Sequence, residues 1–258
     1  MHPRIRRLRR PTPPCYALSP MLDTDSIVAV TFDVGQTLTS LDTTMLAARV
    51  RAMGVEIDEG SIAGALDRAW QDYNAAVKSA PASGTWKTFM SSLLANAGAR
   101  TDALDEVVDR LWLEQPRRNL WRRPVPGMIE VVDALNASGV PVGVVSNSEG
   151  RVAELLQELG WREKFGVVAD SGRLGIEKPD VRIFAYACRA LGVPLHRTVH
   201  IGDSLAADVE GAMAAGMRAI WFRGTRWDMP PDRVRCCATA AEVLDVLRQW
   251  GAFPAGGR

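Results

Sequence analysis

The residues of this sequence best suited to chemistry are an aspartate, a Ser-Asn pair, a lysine and two more aspartates. Each stands where an apolar run gives way to a loop. Asp33 follows Ile27–Phe32 in "TFDVGQTL", and Ser146-Asn147 follows Val140–Val145. Lys178 precedes a proline in "EKPD", and Asp203 and Asp208 lie in "GDSLAAD" after Thr198–Ile201. A carboxylate can attack phosphorus and carry the group as an aspartyl-phosphate. A hydroxyl, an amide and a lysine can bind phosphoryl oxygens and offset their charge. Two acids near Asp33 would repel it unless a divalent cation neutralised them, and hard carboxylate oxygens suit Mg²⁺. Singly, each residue has a plainer explanation: a strand-to-turn signal for Ser146-Asn147, a surface lysine, or an acid favoured at a helix N-terminus for Asp208. Their joint order along one fold pattern points to a shared site.

Bringing such distant residues together requires strands whose ends converge. From Pro124 onward the sequence alternates helix and strand. The expected helices are Met128–Ala137, Val152–Leu159, Val181–Leu191, Ala206–Ala215 and a last one opened by a Thr239/Glu242 capping box. The expected strands are Ile27–Phe32, Val140–Val145, Phe165–Ala169, Thr198–Ile201 and Ala219–Phe222. This alternation predicts an α/β fold with a doubly wound, parallel, Rossmann-like sheet, its active residues at the strand C-termini. Residues 42–121 interrupt it with helical stripes, among them Leu66, Ala69, Trp70, Tyr73 and Val77, then Trp86, Met90 and Leu93. They are too long for a crossover and are expected to form an inserted all-helical cap domain. The core is then 25–41 plus 122–258. The tryptophans of the insert are expected to fill its own core.

Composition sets the outer bounds. With 258 residues, 47% hydrophobic and 24% charged, the chain can bury a full core as an ordinary globular protein. No apolar run has spanning length, so no membrane role is expected. Arg4, Arg6, Arg7, Arg9 and Arg10 crowd the first ten residues, and without them acidic residues outnumber basic ones. Segment 1–24 is expected to be a basic, disordered tail, or sequence upstream of a start at Met21. With no recognised binding motif in an acidic body, nucleic-acid binding is not expected. Cys15, Cys188, Cys236 and Cys237 form no CxxC pair, which fits a reducing, cytoplasmic setting. A monomer or homodimer is expected.

"FDVGQTL", "VVSNS", "EKPDVRIF" and "HIGDSLAADVEGAMAAGM" resemble, in order and spacing, the four motifs of the haloacid dehalogenase-like (HAD) hydrolase superfamily. The insert resembles the cap of the subgroup with a helical lid after the first strand. The resemblance implies that Asp33 is the nucleophile and a metal ligand, and that Ser146 binds the phosphoryl group with Asn147 nearby. It implies that Lys178 steadies Asp33 and the phosphoryl oxygens. It makes Asp203 a direct Mg²⁺ ligand, with Asp208 anchoring the metal through water or orienting the loop. Thr37 would brace the loop after Asp33. The substrate implied is a small phosphorylated metabolite.

The departure from the family pattern is Gly35. HAD phosphatases usually carry a second acid there, which protonates the leaving oxygen and then activates water. Such help is worth about 10²–10⁴-fold in rate. The metal ligand at this position is a backbone carbonyl, which glycine keeps. Gln36 also replaces a usual glycine. Three readings follow. One is an Mg²⁺-dependent phosphatase that is slow or takes its proton relay elsewhere, with Asp42 or a cap residue as candidates, and that gains from Gly35→Asp if the missing acid is limiting. Another is carbon–halogen or carbon–phosphorus cleavage. The dehalogenase branch needs no metal, which sits poorly with Asp203 and Asp208, and the phosphonatase branch needs a cap lysine, here Lys78 or Lys87. The last is a weakly active or non-catalytic protein that binds a phospholigand. Trp86, Lys87, Arg117, Arg118 and Trp121 are candidates to face the cleft.

Overall fold

The computed structural model describes residues 26–79, 84–100, 102–224 and 232–253. The Arg-rich segment 1–24, Cys15 and the side chain of Lys78 lie outside the described residues. The chain opens with β1 (Ala29–Phe32) and β2 (Thr39–Leu41). Four helices follow: α1 (Thr43–Arg51), α2 (Glu59–Ser79), α3 (Thr85–Asn96) and α4 (Leu104–Glu114). Next come β3 (Trp121–Pro124), α5 (Met128–Ala137), β4 (Val142–Ser146), α6 (Val152–Glu158), β5 (Val167–Asp170), α7 (Ser171–Leu174) and α8 (Val181–Leu191). Strand β6 (Thr198–Gly202) leads into a π-helical turn (Leu205–Glu210) and α9 (Gly211–Ala214). The chain continues with β7 (Arg218–Phe222), β8 (Val234–Cys237) and α10 (Ala240–Gln249).

Six strands pair in parallel in the order β5-β4-β1-β6-β7-β8. The central strands are apolar without alternation: β1 and β4 are buried along their whole length, as expected when helices cover both faces. The chain leaves β1 toward β4 on one side and later toward β6 on the other. The switch in strand order therefore falls at the C-terminal end of β1, where such sheets open a crevice for ligands. This is the expected doubly wound Rossmann-like fold. Helices α5 and α8 have the boundaries read from the sequence.

Helices α1 to α4 pack on a separate apolar core that includes Leu46, Val50, Ile62, Phe89, Leu93 and Leu111. Buried Arg49 ties α1 to the end of α4, pairing with Glu114 at 3.1 Å and donating to the Arg118 carbonyl at 2.8 Å. The insert joins the sheet through the antiparallel pair β2–β3, which the sequence reading missed, with a register shift at Ser40/Leu41. No helix among the described residues is long and apolar enough to cross a membrane.

Candidate active site

Asp33 is the first residue beyond β1, and its N–H donates to the Ile201 carbonyl at 2.8 Å, continuing the pairing with β6. The loop after it closes on one acceptor. The carbonyl of Val34 takes the N–H groups of Thr37 (3.3 Å), Leu38 (2.9 Å) and Thr39 (2.9 Å), and the Thr39 hydroxyl at 3.3 Å. The bracing expected of Thr37 thus belongs to Val34; the buried Thr37 hydroxyl has no hydrogen-bond partner among the described residues. Gln36 takes a φ of 57°, the left-handed region that favours glycine. This is where the family pattern has one.

The sequence-predicted residues converge. Lys178 is buried, and its Nζ donates to Asp33 Oδ1 and to Asp208 Oδ1, both at 2.6 Å. Asp208 is engaged on both oxygens: Oδ1 also meets His200 Nε2 at 3.1 Å, and Oδ2 accepts the Ser204 N–H at 2.9 Å. It therefore holds Lys178 and the loop rather than reaching outward. A Cβ on Gly202 would come within 2.2 Å of the Asp208 carboxyl carbon, so only glycine admits this carboxylate behind the strand end. The segment read as an ordinary helix from Ala206 begins instead as a π turn, capped by Ser204, whose Oγ accepts the Ala207 N–H at 3.1 Å. Wide turns of this kind often mark functional sites.

Ser146 is buried at the tip of β4 and lines the same cavity. Of the two routes by which Asn147 could meet the phosphoryl group, backbone or side chain, the side chain is engaged elsewhere. Its Nδ2 donates to the Lys178 carbonyl at 2.9 Å, and its Oδ1 accepts the Lys178 N–H at 2.8 Å. The amide is spent on positioning the lysine. Buried Asp170, which the sequence reading missed, holds the loop after Ser146. It accepts from the Ser148 hydroxyl at 2.6 Å and from the Val152 N–H at 2.9 Å.

One ammonium faces three carboxylates here. Burial pushes the Asp33 carboxyl up, Lys178 pulls against it and Asp208 adds to the rise. Asp203, half-buried, is pushed well up by burial, then by Asp208 and Asp33. Burial acts likewise on Asp208, but Lys178 and His200 outweigh it and hold it well below the ordinary carboxylate range. Burial also opposes the charge of Lys178, which Asp208 and Asp33 restore, leaving it raised and protonated. The site is short of positive charge. Carboxylate oxygens of Asp33, Asp203 and Asp208 lie within 4.8 Å of one another. This donor set suits a hard divalent cation such as Mg²⁺.

The insert closes over these strand ends and encloses a cavity of about 420 Å³. From α2, Tyr73 reaches the carboxylates: its hydroxyl hydrogen-bonds Asn147, and burial and then Asp208, Asp33 and Asp203 raise its pKa well above the usual value. The neighbouring Asn74 accepts the Ser204 hydroxyl at 2.7 Å. Trp86, Lys87 and Trp121 line the cavity as anticipated, whereas Arg117 and Arg118 are not among the lining residues. Trp70 and Trp112 also line it, so the insert's tryptophans do more than fill its core. Asp42 is not available as a relay: it caps α1 through the Met45 N–H at 2.8 Å and pairs with Arg123 at 3.3 Å. At Gly35, a Cβ would stand 3.2 Å from Trp121 Cδ1. The indole lies against the position that the Cβ of an acid would take.

A family model for haloacid dehalogenase-like hydrolases matches residues 27–216. The chain belongs to that family. As a HAD-like hydrolase it is 29% identical over 208 residues to haloacid dehalogenase-like hydrolase domain-containing protein 3 of Bos taurus, covering 76% of this chain and 81% of the relative. The glyceraldehyde 3-phosphate phosphatase of Methanopyrus kandleri is 34% identical over 140 residues, 49% of this chain and 58% of the relative. Among solved structures, the magnesium-bound HAD-hydrolase YfnB of Bacillus subtilis superposes with a TM-score of 0.63 at 21% identity. That match covers 86% of this chain and 99% of YfnB, a likeness of fold.

Proposed function

We propose that this HAD-like hydrolase is an Mg²⁺-dependent phosphatase of a small phosphorylated metabolite, acting through an aspartyl-phosphate at Asp33. The observation that carries this reading is the Lys178 ammonium held at 2.6 Å from both Asp33 and Asp208 beside a third carboxylate, Asp203. Asp33, Asp203 and the Gly35 backbone carbonyl would hold the cation, with Asp208 anchoring the site from behind. When bound, Mg²⁺ offsets the charge between the carboxylate and the incoming phosphoryl group. Lys178 orients Asp33 Oδ1 and neutralises the phosphoryl oxygens, and Ser146 and the Asn147 N–H bind them from the neighbouring strand end. Asp33 attacks phosphorus in line with the ester oxygen, and water then releases phosphate and restores the carboxylate. A phosphatase-named relative supports the substrate class.

The dehalogenase branch needs no metal, and the grouped carboxylates of Asp33, Asp203 and Asp208 argue against it. The carbon–phosphorus alternative needs a free cap lysine; of the two candidates, Lys87 is paired with Asp109 at 2.7 Å and the side chain of Lys78 lies outside the described residues. A second reading, phospholigand binding with little turnover, draws on the missing acid at Gly35, against which the Trp121 ring packs. Phosphate release from a panel of esters, with Mg²⁺ and with EDTA, separates them. The expected outcome is Mg²⁺-dependent release that falls by about 10³-fold or more in Asp33→Asn. Halide release insensitive to EDTA, or undiminished turnover in Asp33→Asn, would sink the proposal.

A further inference from the structure

The cavity wall beyond the phosphoryl site is aromatic. Trp70, Tyr73, Trp86, Phe89, Trp112 and Trp121 line it. Their rings are mutually packed: Trp70–Phe89 centroids lie 4.1 Å apart, Trp86–Trp112 5.2 Å and Phe89–Trp121 5.8 Å. This wall begins at the reacting centre, because Trp121 sits against Gly35 where the leaving-group acid would stand. The indole N–H of Trp86 is buried with no hydrogen-bond partner among the described residues.

The neutral amides of the wall are already committed. Gln115 donates to Asn119 Oδ1 at 3.1 Å and accepts the Leu120 N–H at 3.2 Å. Asn119 accepts the Trp121 N–H at 2.8 Å and donates to Glu149 at 3.1 Å. The hydroxyls of a sugar or polyol would find few uncommitted neutral partners there. A second anionic group fares no better. Among the described residues, the cationic side chains lining the cavity are Lys178 and Lys87, the latter bound to Asp109, while Glu149 and Glu177 add negative charge.

We propose that the leaving group is itself an aromatic ring bearing the ester oxygen, so that the substrate class is the phosphate monoester of a phenol-type hydroxyl without a second anionic group. This rests on the phosphatase reading. It also accounts for Gly35. An alkoxide needs a proton as it departs, whereas a phenol, with a pKa of about 10 as in tyrosine, leaves as its anion far more readily. Asp33 forms the new O–P bond, the aryl oxide departs with the electron pair of the broken bond, and solvent protonates it. Water then cleaves the aspartyl-phosphate, so the sum is ester plus water giving phenol and phosphate.

The test measures kcat/KM of the full chain with Mg²⁺ for phenyl phosphate, acetyl phosphate, glycerol phosphate and uridine 5′-monophosphate. Acetyl phosphate is the telling control, since its leaving group is even better but carries no ring. Phenyl phosphate is expected to exceed the other three by about tenfold or more. Its ratio to acetyl phosphate is expected to fall by about tenfold in Trp86→Leu and, independently, in Trp112→Leu. A higher value for any of the other three, or an unchanged ratio in both variants, overturns this proposal alone. Release from none of the four overturns it together with the phosphatase reading.

Discussion

At the scale of the residue, the site turns on what stands around two positions, Lys178 and Gly35. Lys178 was legible in the sequence only through its company. Nothing local distinguishes it from a surface lysine, and its burial follows from the strand ends that gather Asp33 and Asp208 around it. Gly35 was legible as a missing acid, but not what filled the gap, because Trp121 arrives from a strand on the far side of the insert. This changes the expected result of restoring the acid. Gly35→Asp alone is expected to gain little, since its Cβ meets the indole at 3.2 Å and the carboxyl must extend further. Combined with Trp121→Leu, which opens that space, it is expected to raise turnover of a poor-leaving-group ester such as glycerol phosphate by about 10²-fold over Trp121→Leu alone. Steady-state kinetics on the two single variants and the double checks this. A full gain from Gly35→Asp alone would show that the ring yields freely.

At the scale of the element, the site depends on how strands end and helices begin. Gly202 ends β6 and leaves no room for a methyl group beside Asp208. Gly202→Ala is expected to cost about 1–3 kcal/mol of stability by overpacking and to lower activity by displacing Asp208. Denaturant midpoints and phosphate release read the two effects separately. Strand β8 offers a test of pH dependence away from the cluster. Burial first, then Glu242 and Cys236, pushes the Cys237 thiol up to about 12. The unfolded thiol ionises near about 8.5. The folded chain thus binds the proton more tightly, and this contribution is full below that pH and lost as pH rises through it toward 12. The loss is at most about 1.4 kcal/mol per pH unit. Cys237→Ala is expected to flatten the alkaline decline between pH 9 and 10.5, measured by urea denaturation; an unchanged slope would contradict it. Helices such as α5 and α8 were read to the residue because apolar period and flanking Gly or Pro agree there. The π turn was not, because a wide turn leaves the same apolar spacing as an ordinary helix start. The strands β2, β3 and β8 were missed as well, being short and without alternation.

At the scale of the whole molecule, an insert with its own core is set over the switch point of a parallel sheet, and the cavity lies between them. The contacts across it include the polar pairs Asn74 with Ser204 and Asn119 with Glu149, and Tyr73 packed against Ala206 and Ala207. The period of α2 to α4 announced helices, but not that Trp70, Trp86 and Trp112 would also line the cavity, because the surface opposite them comes from residues far away in sequence. The same arrangement yields the account's most direct test. With no acid at Gly35 to activate water, cleavage of the aspartyl-phosphate is expected to be the slow step, so the phosphoenzyme should accumulate. Acid-quenching the full chain during turnover of phenyl phosphate with Mg²⁺, followed by peptide mass analysis, is expected to find one phosphoryl group on Asp33 and none in Asp33→Asn. Phosphate release by the wild-type chain with no such adduct, or with the adduct on another residue, would contradict the account.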